Sequence, residues 1–156
     1  MFDLPAESVY VWFGVSVVSV AVLGVALSLP TTTPAATGPL TTSIDRVAAS
    51  PYNATGEHPV SADRIKLGSQ RVATETGDTV SHSTFSYGPI TPVSRGTALW
   101  RVLQGAPPGT VFDTARSFEQ ACIEARETPA TWRPAPRRLT MRKLTWEGVN
   151  ATLVSA

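Results

Sequence analysis

An α+β domain carried on a membrane tether is the fold class this 156-residue chain predicts, and three observations predict it. An uncharged apolar run lies near the N-terminus, a Thr/Pro-rich stretch follows it, and beyond that short alternating segments bounded by Gly and Pro surround one strongly periodic helical segment. The expected organisation is an N-terminal tail over 1–8, a transmembrane helix over 9–29, a flexible linker over 30–43 and a globular domain over 44–156. In that domain a small, mainly antiparallel β-sheet packs against one principal α-helix.

Val9 to Leu29 (VYVWFGVSVVSVAVLGVALSL) holds 21 residues without a charge. As a helix it is about 32 Å long, against a hydrocarbon core of about 30 Å. Eight Val, three Leu and Phe13 favour insertion by a few tenths of a kcal/mol each, or roughly 5 kcal/mol before the discount for Ser and Gly. Tyr10 and Trp12 stand where amphipathic rings prefer the headgroup layer, and Pro30 stops the helix as the apolar run stops. A core helix of a soluble protein would carry a polar stripe and fewer β-branched residues. A cleaved leader would begin with a basic segment and a shorter apolar core. MFDLPAES carries Asp3 and Glu7 and no Lys or Arg, so Ala26-Leu27-Ser28 reads as part of a retained anchor and not as a cleavage site. Gly24 and Ser28 form a small-xxx-small spacing at which two such helices can approach closely.

Charge says little about orientation, because no Lys or Arg precedes the run and none follows it until Arg46. Two other features favour an extracytoplasmic C-terminal domain. The chain has only two Asn, and both open an N-x-Thr sequon: Asn53-Ala54-Thr55 and Asn150-Ala151-Thr152. The segment Pro30 to Ser43 (PTTTPAATGPLTTS), with six Thr, three Pro and no charge, reads as an extended, Pro-stiffened spacer of the kind found on cell surfaces. The opposite reading takes Arg133, Arg137, Arg138, Arg142 and Lys143 as a basic patch facing the cytoplasm and binding anionic lipid or nucleic acid.

In chain order, Ile44 to Ser50 is expected as a short strand, followed by a turn-rich stretch through Tyr52, Gly56 and Pro59. Asp63 to Leu67 is a further strand, and the alternation on either side of Gly77-Asp78 predicts a hairpin. Thr97 to Leu103 suits either a short helix or a strand, and Gln104 to Thr110 is a loop built on Pro107-Pro108-Gly109. The principal helix is Thr114 to Glu127, with Asp113 placed to cap it, Pro129 ending it, and Phe118, Ala121, Cys122 and Ala125 forming its buried stripe. Arg138 to Trp146 and Val149 to Val154 are strands joined at Glu147-Gly148.

The chemistry-bearing residues are few. Net charge is +1, so the whole-protein balance argues against a polyanionic partner. A lone Cys122 forms no internal disulfide and no cysteine-based zinc site, and on a buried stripe it reads as core. His58 precedes a proline in a turn, and His82 alternates outward on a strand; neither has a ligand partner at zinc spacing or a nucleophile in a recognisable motif. No phosphate-binding glycine loop is present. Trp100, Trp132 and Trp146 read as core and not as a ligand platform. The expectation is a protein with no catalytic residues, no cofactor and no metal, whose partners are the lipid bilayer and other membrane or surface proteins.

Five stretches carry a family resemblance: the opening MFDLPAESVYVWFG; Thr55-Gly56-Glu57-His58-Pro59; Phe85-Ser86-Tyr87-Gly88-Pro89-Ile90-Thr91-Pro92-Val93; Trp132-Arg133-Pro134-Ala135; and Leu144-Thr145-Trp146-Glu147-Gly148-Val149. Together they resemble an uncharacterised haloarchaeal family of small single-span membrane proteins, a domain of unknown function that is pilin-like in layout. The Arg-rich, Lys-poor composition suits such a source. The resemblance implies an accessory role beside type IV pilus-like or secretion machinery, and it implies no catalytic residue. Where a pilin carries its processing site, this chain has Pro5-Ala6-Glu7.

Overall fold

The computed structural model describes residues 37–155. The apolar run at 9–29, with Gly24 and Ser28, lies outside them, and among the described residues no helix is long and apolar enough to cross a membrane.

The first element is a helix, α1 (Thr37–Ala48), where the sequence suggested the end of a spacer and then a strand. Its composition is poor for a helix: Pro39 lies in the first turn, and Thr41, Thr42 and Ser43 turn their hydroxyls back onto the carbonyls of Thr37, Gly38 and Pro39. Proline is tolerated at that end because its missing N–H has no intrahelical partner there. Burial settles the matter. Leu40, Ile44 and Val47 recur at helical spacing and are almost inaccessible.

Eight strands follow, in two sheets and not one. The strands β1 (Ala54–Pro59), β7 (Arg138–Trp146), β8 (Val149–Ser155) and β5 (Thr91–Val93) form the first sheet in the order β1-β7-β8-β5, with only the β5/β8 pair parallel. The strands β4 (Thr79–Thr84), β3 (Arg71–Thr76), β2 (Arg64–Leu67) and β6 (Arg133–Pro134) form the second in the order β4-β3-β2-β6, antiparallel throughout. The expected hairpin around Gly77-Asp78 is β3–β4. The expected pair around Glu147-Gly148 is β7–β8, whose two-residue loop has φ of +46° and +85°. Both central residues at positive φ are what a tight hairpin with right-handed strand twist requires, and Gly148 adopts its angle without strain.

Two further helices complete the fold. Thr97 caps α2 (Ala98–Leu103), which resolves that segment as helical. The longer α3 (Ala115–Glu127) begins one residue later than expected: Thr114, not Asp113, is its cap, exchanging hydrogen bonds with Ser117. Among the described residues there are therefore two helices of similar length, α1 and α3, in place of one principal helix.

The first sheet is covered on both faces, which explains why Ala151 to Ser155 of β8 are all buried. One face meets α1 and the second sheet through Leu40, Ile44, Leu67, Val72, Ile90, Leu139, Met141 and Val154. The other meets α2 and α3 through Leu99, Val102, Phe118, Cys122, Leu144 and Leu153. Phe118, fully buried, lies edge-on to Phe112 and Trp146 with ring centroids 5.4 and 6.0 Å away.

Candidate functional site

The strand alternation of β7 decides what the basic run near the C-terminus does. Leu139, Met141 and Lys143 point to the α1 face, and Arg142 and Leu144 point to the α2/α3 face. The Lys143 ammonium donates to the carbonyls of Ala48 (2.7 Å) and Ser50 (2.5 Å), closing the C-terminal end of α1. Arg142 does the same on the opposite face, donating to the carbonyls of Val102 and Ala106 at the end of α2. Ala48 is the last residue of its helix, where a carbonyl has no intrahelical partner, and Val102 carries a Gly105 N–H besides the arginine; at both ends a cation suits the negative end of the helix dipole. Arg133 donates to Ser94 Oγ (3.1 Å), and Arg138 pairs with Glu57 (2.6 Å). The five basic residues therefore do not form one patch.

The two sequon asparagines do come together. Asn53 Oδ1 accepts from the Thr145 backbone N–H (2.9 Å), and Thr145 Oγ1 hydrogen-bonds to Asn150 Oδ1. Both asparagines are exposed, and because each uses its oxygen, each amide nitrogen stays free. They stand at one end of the first sheet. α1 runs toward that end: its last residue, Ala48, meets Lys143 beside Ala54, its middle residue Ser43 meets His58 further along β1, and its first residue is Thr37. The two sites differ in setting. Asn53-Ala54-Thr55 lies on edge strand β1 with Thr55 exposed, whereas Asn150-Ala151-Thr152 lies on interior strand β8 with Ala151 and Thr152 buried.

Cys122 is 2% exposed, and burial pushes its thiol up to about 11 against the opposing charge of Arg126. It is a core group. Ser43 and His58 form a contact the sequence did not suggest, Oγ to Nδ1 at 2.9 Å. The Ser43 hydroxyl also meets the Pro39 carbonyl at 3.0 Å, so its single proton serves two neighbouring acceptors. Among the described residues no three His, Cys, Asp or Glu side chains gather as metal ligands. Trp100, Trp132 and Trp146 are dispersed and half-buried. Trp100 and Trp146 pack on the α2/α3 core, whereas Trp132 carries the Arg64 guanidinium over its ring at 5.6 Å.

Beside a depression of about 560 Å³ whose lining includes Arg71, Thr84, Arg126 and Glu127, two smaller hollows border the loop 128–131 that follows α3. One, of about 260 Å³, is an apolar cleft between β2, β5, α2 and α3, with Ile65, Leu67, Val93 and Leu99 in its walls and Arg133 and Glu124 among its polar members. The other, of about 380 Å³, opens on the outer face of the second sheet and is lined by Lys66, Gly68, Arg71, Ala73, His82 and Ala130. This second hollow is the cationic cluster that reading along the sequence missed. Its signal was present in the strand register, which sets Lys66, Ala73 and His82 side by side across three strands.

No curated protein and no solved structure matches the chain. A protein-family model, described as a family of unknown function, matches residues 3–144, which covers both the N-terminal apolar run and nearly all of the described domain. The chain belongs to that family, DUF7283.

Proposed function

We propose that the protein is a membrane-anchored, non-enzymatic interaction protein whose C-terminal domain lies outside the cytoplasm, as an accessory of a surface filament or secretion complex of the type IV pilus kind. The apolar run at 9–29 supplies the anchor, and the family resemblance supplies the setting. One observation carries the orientation: the only two asparagines of the chain, far apart in sequence and each in a sequon, are exposed together at the end of the domain toward which α1 runs. α1, about 18 Å long, separates Thr37 from that end. Glycans at Asn53 and Asn150 would then share one end of the domain and leave the rest of it open to partners.

The lysines provide a direct test, because the chain has only Lys66, which is exposed, and Lys143, whose ammonium is held by two carbonyls. An amine reagent that cannot cross membranes is applied to intact cells, and the Lys66 peptide is analysed by mass. Labelling before lysis is the expected result. A Lys66 that reacts only after lysis overturns the orientation.

A further inference from the structure

On the outer face of the second sheet, Lys66, Ala73 and His82 form one row across β2, β3 and β4, and Arg71 stands on the same face of β3, two residues before Ala73. Neighbouring strands are about 4.8 Å apart, so the two basic residues of the row flank Ala73 with Cα atoms about 10 Å from each other. The alanine side chain ends at Cβ and leaves a depression between long side chains; Ala73 is 5% exposed, so it is a floor and not a rim. Gly68 and Ala130 close the remaining side, and a Cβ placed on Gly68 would lie 3.4 Å from the Arg71 carbonyl oxygen. The result is a cup of about 380 Å³ with three basic side chains around a small apolar base.

These cations are not engaged elsewhere. Among the described residues the Lys66 ammonium and the Arg71 guanidinium have no carboxylate within ion-pair distance, whereas Arg64, in the next row, holds Glu75 at 3.4 Å. Like charges left together around one hollow repel each other and stabilise nothing in the empty protein. An anion seated among them removes that repulsion and gains charge-assisted hydrogen bonds.

We propose that this cup is an oxyanion site, in which Lys66, Arg71 and His82 hold a single tetrahedral phosphate or sulfate group above Ala73. Three donors approaching from three positions match a group with oxygens in several directions better than a planar carboxylate, which one guanidinium satisfies in bidentate fashion. The positive surface is also short: on one side of the row lie the Arg64–Glu75 pair and the exposed Val80, and on the other, past Arg71, lie Thr84 and Glu127 with Arg126, whose guanidinium donates to Thr91. A single anionic group fits that extent, whereas a polyanion would need a continuing stripe. The site goes beyond the anchored, extracytoplasmic reading and does not depend on it.

The test uses the full isotope-labelled chain in non-ionic maltoside micelles. Sodium phosphate, sodium sulfate and glycerol 3-phosphate are each titrated against sodium chloride at matched ionic strength, and the amide signals of Gly68, Arg71, Ala73 and His82 are followed. Saturable shifts confined to these residues, absent with chloride, are expected from at least one of the three anions. Tighter binding of the ester than of the free ions assigns the site to a phosphorylated small molecule; the reverse assigns it to the free ion. Lys66→Gln or Arg71→Gln should weaken binding by about tenfold or more, with the rest of the spectrum unchanged. Arg137→Gln, which removes an exposed cation outside the cup, should leave it unaltered. Linear shifts, shifts reproduced by chloride, or equal affinity in wild type and Lys66→Gln would overturn the proposal.

Discussion

Two sets of basic residues behave in opposite ways. Arg133, Arg137, Arg138, Arg142 and Lys143 are neighbours in sequence, yet the fold sends Arg142 and Lys143 to opposite faces of the first sheet, where each closes a different helix end. Lys66, Arg71 and His82 are scattered along the chain, yet strand register gathers them around one hollow. On a strand, adjacent residues point apart and partners come from other strands. A run of charge read along a β-segment therefore says little about a patch, and a row read across the sheet says much more.

The contrast can be broken by mutation, using urea unfolding of the full chain in micelles, followed by tryptophan fluorescence. The largest loss is expected from the sequence-adjacent set. Lys143→Met leaves the Ala48 and Ser50 carbonyls without their donor and should cost about 2 to 3 kcal/mol, and Arg142→Met should cost less, about 1 to 2 kcal/mol, because the Val102 carbonyl keeps the Gly105 N–H. If both substitutions prove neutral, the helix-closing role is wrong.

Next in size is the close approach of α1 to β1, which the Lys143 contacts hold in place. A Cβ at Gly56 would come within 2.8 Å of Val47 Cγ2, so Gly56→Ala should destabilise by about 1 to 3 kcal/mol, although the change adds only one methyl. An unaltered unfolding midpoint would mean that α1 sits less tightly than described. On the α3 side, Cys122 sharpens the same picture chemically. The buried thiol is raised from 9.0 to about 11, so the folded chain should resist alkylation near neutral pH and react only once unfolded. Because the folded value is the higher one, this group's contribution to stability is complete below the ordinary thiol value and is lost as pH rises from there through about 11. Rapid modification of the native protein at pH 7 would contradict its place in the core.

The smallest effect is expected from the gathered set. Lys66→Gln and Arg71→Gln touch no internal carbonyl and should change stability by less than about 0.5 kcal/mol, while removing the cup's charge. Arg138→Gln, which breaks an exposed pair with Glu57, should cost under about 1 kcal/mol.

Much of the domain was legible from the sequence where local signals and tertiary structure agree. The β3–β4 and β7–β8 hairpins announce themselves through alternation on either side of Gly77-Asp78 and Glu147-Gly148, and α3 through the spacing of Phe118, Ala121, Cys122 and Ala125. α1 was not legible, because Thr, Gly and Pro dominate its first half and only burial of Leu40, Ile44 and Val47 between other elements makes it a helix. The edge strands β1, β5 and β6 are short or contain proline, and pairing to interior strands defines them more than their own pattern does. The sequons were visible as motifs, but their meeting at Thr145 depends on β1 lying beside β7, a long-range pairing no local pattern encodes. The cup was hidden for the same reason.

The claim that the domain faces outward is tested most directly at those asparagines. The measurement is the mass of the Asn53 and Asn150 peptides from protein isolated from its native membrane. A glycan on Asn53 is expected, with higher occupancy there than on Asn150, whose Ala151 and Thr152 are buried in an interior strand. Both peptides at their unmodified mass, together with a Lys66 that is labelled only after lysis, would contradict it.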